Sequence, residues 1–351
     1  MANYHVFLVF VQIGIFTVFA KPQVPCYFIF GDSLVDSGNN NELVTKAKAN
    51  YLPYGIDFPQ GATGRFTNGR TMADIIGELL DFDEFIPAYA TATDEQINKG
   101  VNYGSGGAGI RRGTGRHLGG RISLDRQLNN HNATISRFVR LQRNSTIVNE
   151  EYLKMCLYIV NIGSNDYINN YLRPTLYTSS HKFTPFQYAT ILIQQYSQQL
   201  KRLYKMGARK IVLFGLAPIG CTPGEISICP KKEERCVKSI NGAVAVFNNK
   251  LRLLVDKLNN DKRDAKFTFI NVTHISLVQQ VMPLPNLPCC KLKVDGQCAP
   301  TTVTCLVRAL SIYYDGFHPT EFANNIIAKR SYVAVSHMDA SPYDISHLVQ
   351  L

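Results

Sequence analysis

Short apolar runs alternate along this chain with longer stretches of helical spacing. Cys26–Phe30, ended by Gly31, reads as a buried strand, and Leu157–Ile162, Lys210–Leu216 and Lys266–Val272 repeat the type. Their apolar residues are consecutive rather than alternating, the pattern of strands covered on both faces. Val101–Tyr103 is a briefer strand-like piece. Thr71–Leu80, Phe186–Met206, Val237–Leu258 and Thr320–Val335 have helical periodicity. In the third, Ala243, Val246, Phe247, Lys250, Leu251 and Leu254 form one stripe, and Gly207 supplies a stop after the second. Strands interleaved with helices predict a mostly parallel α/β sheet clothed on both sides. There is no repeat and no low-complexity linker, so residues 21–351 are expected to form one domain, with Met282–Cys305 as a large Pro- and Cys-rich loop inside it.

The N-terminal residues add a compartment. Val6–Phe19 is apolar except for Gln12, Gly14 and Thr17, and Val18 and Ala20 supply a small-residue cleavage pattern before Lys21. Residues 1–20 are therefore expected to be a secretory signal peptide, the apolar run being shorter than the roughly 20 residues of a membrane span. Nine cysteines follow. Most lie in loops at spacings too wide for zinc-chelating pairs, so disulfides fit them better. An odd number leaves at least one thiol over, and Cys156, in an apolar run, is the expected free and buried one. Asn132, Asn144 and Asn271 each head an N-x-[ST] sequon, the acceptor for glycosylation of an exported chain.

Charge changes the picture little. The chain of 351 residues carries 37 Lys and Arg against 26 acids, a net +11, while 45% of it is hydrophobic. That composition describes a globular protein with a core and excludes disorder and collagen-like structure. The positives are scattered among acids and no nucleic-acid motif occurs, so no nucleic-acid partner is expected. Arg111, Arg112, Arg116 and Arg121 form the one dense basic stretch, read as a solvated loop.

In a parallel sheet of this kind, ligands bind beyond the carboxyl ends of the strands. Four polar clusters fall there: Gly31-Asp32-Ser33-Leu34, Asn102 with the glycines up to Gly109, Gly163-Ser164-Asn165-Asp166, and Asp315-Gly316-Phe317-His318. Together they hold the parts needed for acyl transfer. A serine hydroxyl is a poor nucleophile at neutral pH and needs a base. An imidazole suits that task, and a carboxylate on its other nitrogen fixes the tautomer. Ser33, His318 and Asp315 fit those roles. The N–H of Ser33, an N–H of the glycine run and the Asn165 amide would face the developing oxyanion.

These ordered blocks resemble those of the SGNH hydrolases and, more closely, the plant GDSL esterases/lipases. Gly31–Asn41, Thr63–Arg70, Gly100–Ile110, Val160–Leu172, Gly207–Pro223 and Tyr313–Asn324 all share that character, so the likeness spans nearly the whole chain after residue 20. The resemblance implies a flavodoxin-like three-layer α/β/α sandwich and a secreted carboxylic ester hydrolase working without metal or cofactor. Ser33 is then the nucleophile, His318 the base and Asp315 its orienter. The oxyanion hole would comprise Ser33, Asn165 and Gly107, with Gly106 as the alternative glycine. Lipid or acylated-carbohydrate esters are the implied substrates, and the extracellular space or cell wall the implied location. Gly104 stands where the family usually has alanine, and Tyr314 where it usually has tryptophan.

Other readings are weaker. Gly104, Gly106 and Gly109 satisfy G-x-G-x-x-G, but Arg111, Arg112 and Gly113 follow where a dinucleotide site wants an apolar helix. No G-x-S-x-G elbow occurs. His117, His131, His181, His274, His337 and His347 show no metal-ligand spacing. Two rivals share the scaffold: a transacylase passing the same acyl group to an alcohol, and a non-catalytic extracellular binding protein.

Overall fold

The computed structural model describes residues 21–141, 150–228, 236–277 and 286–351. The expected signal peptide, the Asn144 sequon and Cys229 lie outside the described residues. Five strands form one sheet: β1 Tyr27–Gly31, β2 Leu157–Asn161, β3 Lys210–Phe214, β4 Lys266–Ile270 and β5 Ala340–Ser341. They lie side by side in chain order. β1 to β4 are parallel, and the two-residue β5 adds an antiparallel edge.

Successive side chains of each strand point to opposite faces, and both faces are covered. On one side Phe28, Phe30, Tyr158, Val160, Ile211, Leu213, Phe267 and Phe269 meet three long helices. These are α2 Leu124–Leu141, α3 Pro185–Lys205 and α4 Lys238–Asp261. On the other, Tyr27, Ile29, Leu157, Ile159, Val212, Phe214 and Ile270 pack on α1 Met72–Leu79, α5 Glu321–Tyr332 and the short helix Ile345–Leu348. The architecture is the mostly parallel α/β/α sandwich that the pattern of apolar runs implies.

Helix ends follow from local chemistry. Thr71 caps α1 and is capped in return by Asp74, and Thr184 with Gln187 does the same for α3, whose first residue is Pro185. α2 is the one long helix that sequence periodicity does not reveal. Its stripe is narrow and partly polar (Leu124, Gln127, Leu128, His131, Thr134, Phe138), and three asparagines dilute its helix propensity.

Two expectations need correction. Val101–Tyr103 is not a strand: it touches the outer edge of β1 through a single parallel bridge, Ile29 to Asn102. Ile29 N–H donates to Val101 O and Tyr103 N–H to Ile29 O. Further along the edge, Ser105 N–H donates to Gly31 O, and the Gln127 side-chain amide accepts from Gly31 N–H at 2.9 Å and donates to the same oxygen at 2.7 Å. An amide side chain thus serves the Gly31 N–H, which the neighbouring backbone leaves open. Cys156 is not free either. It is bonded to Cys26, the two lying just ahead of the paired strands β1 and β2. Its burial reflects that bridge as well as its apolar run. The other described bridges are Cys221–Cys236, Cys289–Cys305 and Cys290–Cys298.

Candidate active site

Ser33 is presented by a turn that the sheet forces. The chain leaves β1 at Gly31, where an added Cβ would lie 2.3 Å from Asn161 O, so no larger residue fits against β2. Asp32 N–H then donates to Asn161 O, while Asp32 O accepts from Val35 N–H and Asp36 N–H. The Asp32 carboxylate accepts from Leu34 N–H at 3.0 Å. Ser33 is left at the apex, and its N–H has no acceptor among the described residues.

His318 arrives from the far end of the chain, two residues before the cap of α5. Its Nε2 lies 2.7 Å from Ser33 Oγ. Its Nδ1 lies 2.9 and 2.8 Å from the two carboxylate oxygens of Asp315. Asp315 is fully buried. Burial pushes its carboxyl up, yet the neighbouring His318, the hydrogen bonds from His318 and Tyr54 and that from Phe317 N–H together hold it below the ordinary range. It therefore stays ionised. The ring of Phe66 lies 4.9 Å from that of His318, closing the imidazole's other side.

The glycine run is held by polar side chains that follow Ser33. Asp36 accepts from Gly38 N–H and Asn39 N–H with one oxygen, at 2.8 Å each, and from Gly106 N–H at 2.9 Å with the other. Asn39 donates to Asn102 O and Gly104 O, and Asn40 to Ala47 O and Gly106 O. Because Gly106 N–H is committed to Asp36, it is not available to a ligand. Gly107, at φ +77°, has an N–H with no acceptor among the described residues and lines the cleft that holds Ser33. Asn165 lines it too. Its amide donates to Ala108 O at 3.0 Å and accepts from Asn169 Nδ2 at 2.6 Å, which fixes which way the amide faces. Asp166 clamps the loop after the glycines, accepting from Ile110 N–H, Arg111 N–H and Thr114 Oγ1.

Ser33, Gly107, Asn165 and His318 thus border one cleft of about 410 Å³, whose walls include Leu118, Ile168, Leu176 and Val294. The basic stretch lies beside it, and Arg121 serves as a clasp within that loop, donating to Thr114 O and Arg112 O. Sequence reasoning missed Asp36, Asn39, Asn40, Tyr54 and Asn169. A run of Asp and Asn directly after a buried strand was the available signal, since buried polar side chains must find partners. Of the sequons, Asn132 is exposed on α2, while Asn271 is half-buried at the end of β4 and accepts from His274 N–H.

A parallel sheet with a hydroxyl, an imidazole, a carboxylate and free N–H donors gathered beyond its carboxyl edge belongs to the three-layer α/β hydrolases. The profile of the GDSL-like lipase/acylhydrolase family matches residues 27–331. Two GDSL esterases/lipases of Arabidopsis thaliana are 51% and 47% identical over 343 and 347 residues. The aligned regions cover 95% and 96% of this chain and 93% and 94% of theirs. The chain belongs to the GDSL lipase/acylhydrolase family and is a carboxylic ester hydrolase. Among solved structures, phospholipase A1 from Streptomyces albidoflavus is similar at 12% identity and a TM-score of 0.36, over 86% of this chain and 94% of that one.

Proposed function

We propose that the chain hydrolyses its ester through an acyl-Ser33 intermediate. The observation that carries the reading is the 2.7 Å approach of Ser33 Oγ to His318 Nε2, with Asp315 behind the ring. His318 Nε2 takes the Ser33 proton as Oγ bonds to the carbonyl carbon. The oxyanion that forms faces the free N–H groups of Ser33 and Gly107 and the Asn165 amide. Collapse expels the alcohol, which leaves with the proton from His318. A water, deprotonated by the same nitrogen, then attacks the acyl carbon, and the carboxylic acid departs as Ser33 regains its proton.

The apolar walls of the cleft support an acyl chain as the occupant, in a lipid or an acylated carbohydrate. Four disulfides among the described residues support an oxidising, extracytoplasmic location, and no described helix is long and apolar enough to cross a membrane. Ser33→Ala should lower the turnover of p-nitrophenyl butyrate by about 10³-fold or more with the melting temperature preserved. A fluorophosphonate should label the unaltered chain at Ser33 and leave the variant unlabelled. Near-normal turnover in the variant overturns the reading.

A further inference from the structure

We infer that Tyr54 is a positioning residue for the reaction, acting through Asp315; this rests on the Ser33–His318–Asp315 reading above. The Tyr54 side chain is fully buried, and its hydroxyl lies 2.6 Å from Asp315 Oδ2. A phenol has one proton to give and can accept as well. Here the acceptor role is filled by Cys298 N–H, which donates to Tyr54 Oη at 3.0 Å. The proton therefore goes to the carboxylate. Burial, and then the charge of Asp315 beside it, push the phenol well above its ordinary value, so it does not lose that proton in the working range.

The other side of Asp315 is held by backbone: its Oδ1 accepts from Phe317 N–H and His318 N–H at 2.8 Å each. One oxygen is thus fixed by its own loop and the other by a residue 261 positions away. Between them they set the plane of the carboxylate that His318 Nδ1 meets. A carboxylate free to rotate would present that plane only part of the time, and the imidazole would lose its orientation with it.

Tyr54 is itself locked by neighbours. Its ring packs edge-on against Tyr51, Phe66 and Tyr314. Tyr51 donates to Cys298 O at 2.9 Å, so the two tyrosines grasp both backbone groups of one cysteine. That cysteine is bonded to Cys290, and residues 292–297 between the two line the cleft. Tyr54 therefore joins the wall that a substrate touches to the carboxylate that orients the base.

The test is Tyr54→Phe, assayed per active site as titrated with a fluorophosphonate. The expected result is a kcat about 10-fold lower with KM within about twofold, since only transition-state alignment is lost. The acidic limb of the pH–rate profile should also move. The hydrogen bond from Tyr54 lowers Asp315, so its removal makes the carboxylate behind the base easier to protonate. That carries the limb to higher pH. A role in folding alone would lower the melting temperature or the titratable fraction and leave the limb in place. An unchanged kcat and an unchanged limb overturn the inference.

Should Tyr54→Phe fail to fold, 3-fluorotyrosine placed at position 54 keeps the ring and both hydrogen bonds but donates more strongly. The limb should then move to lower pH, and an unmoved limb overturns the inference. Ser33→Ala is measured alongside. If it is inactive while Tyr54→Phe is unaffected, only the role of Tyr54 fails; if it is active, the triad reading fails and this inference with it.

Discussion

Asn165 shows how one amide is prepared for a task by its neighbours. Asn169 donates to its oxygen, so its nitrogen must face the other way, where one N–H meets Ala108 O and the second is left to the cleft. Under the proposed mechanism, replacing it removes a donor aimed at developing negative charge, an interaction made chiefly in the transition state. Asn165→Ala should therefore lower kcat by about 10²-fold while KM changes by less than about threefold, as steady-state kinetics on a soluble ester will show. At this scale the sequence was legible where the residue type names its own chemistry: a serine after Gly-Asp, a histidine three after an aspartate. Asp36, Asn39 and Tyr54 were not, because their work is to hold particular carbonyls, N–H groups and a carboxylate oxygen. Which of those lies within reach is decided by the fold.

The elements behind the site are tied by a few buried polar anchors, and α1 shows the strongest. Arg65 lies 2.8 and 2.7 Å from the two oxygens of Asp74, which also caps α1 at Thr71. Both side chains are 5% exposed. The guanidinium also sits 4.3 Å over the ring of Phe58. The next residue is Phe66, which leans on His318, so the cap of α1 and the wall of the site share one short segment. Arg65→Ala would leave Asp74 buried without its charge partner, which costs about 3–5 kcal/mol. A urea melt should show the midpoint fall with little change in slope. Sequence periodicity gave α1, α3, α4 and α5 to within a few residues because each lays an apolar stripe on the sheet. It did not give α2, whose contacts run through Gln127, His131 and Thr134, nor the reduction of Val101–Tyr103 to one bridge beside β1, where Gln127 serves the last N–H of the strand.

Over the whole molecule, buried carboxyls set an unusual response to acid. Burial pushes Asp32 up to about 7, and Asp36 and Asp166 up to about 6. In the unfolded chain the same groups lose their protons near pH 4. Between those values the native state binds more protons, so their contribution to stability is complete below about pH 4 and is lost as pH rises through 6 to 7. His131, held at about 3 by burial, works in the opposite sense below about pH 6.5. His117 is lowered in the same sense, but the raised carboxyls, which also include Glu225 and Glu78, outnumber the two histidines. The melting temperature should therefore rise as pH falls from about 8 to 5.5, and Asp32→Asn should make the upper part of that slope shallower. Differential scanning fluorimetry across that range will read both. Below about pH 5 the depressed carboxyls, Asp74 and Asp315 among them, reverse the trend.

Ser33 and His318 are 285 positions apart, and α5 begins just after His318. A ribosome making this protein therefore releases its serine 285 residues before its imidazole. Any chemistry that needs both is silent over that whole interval, so under the proposed mechanism the growing polypeptide stays harmless to the esters around it until its histidine emerges.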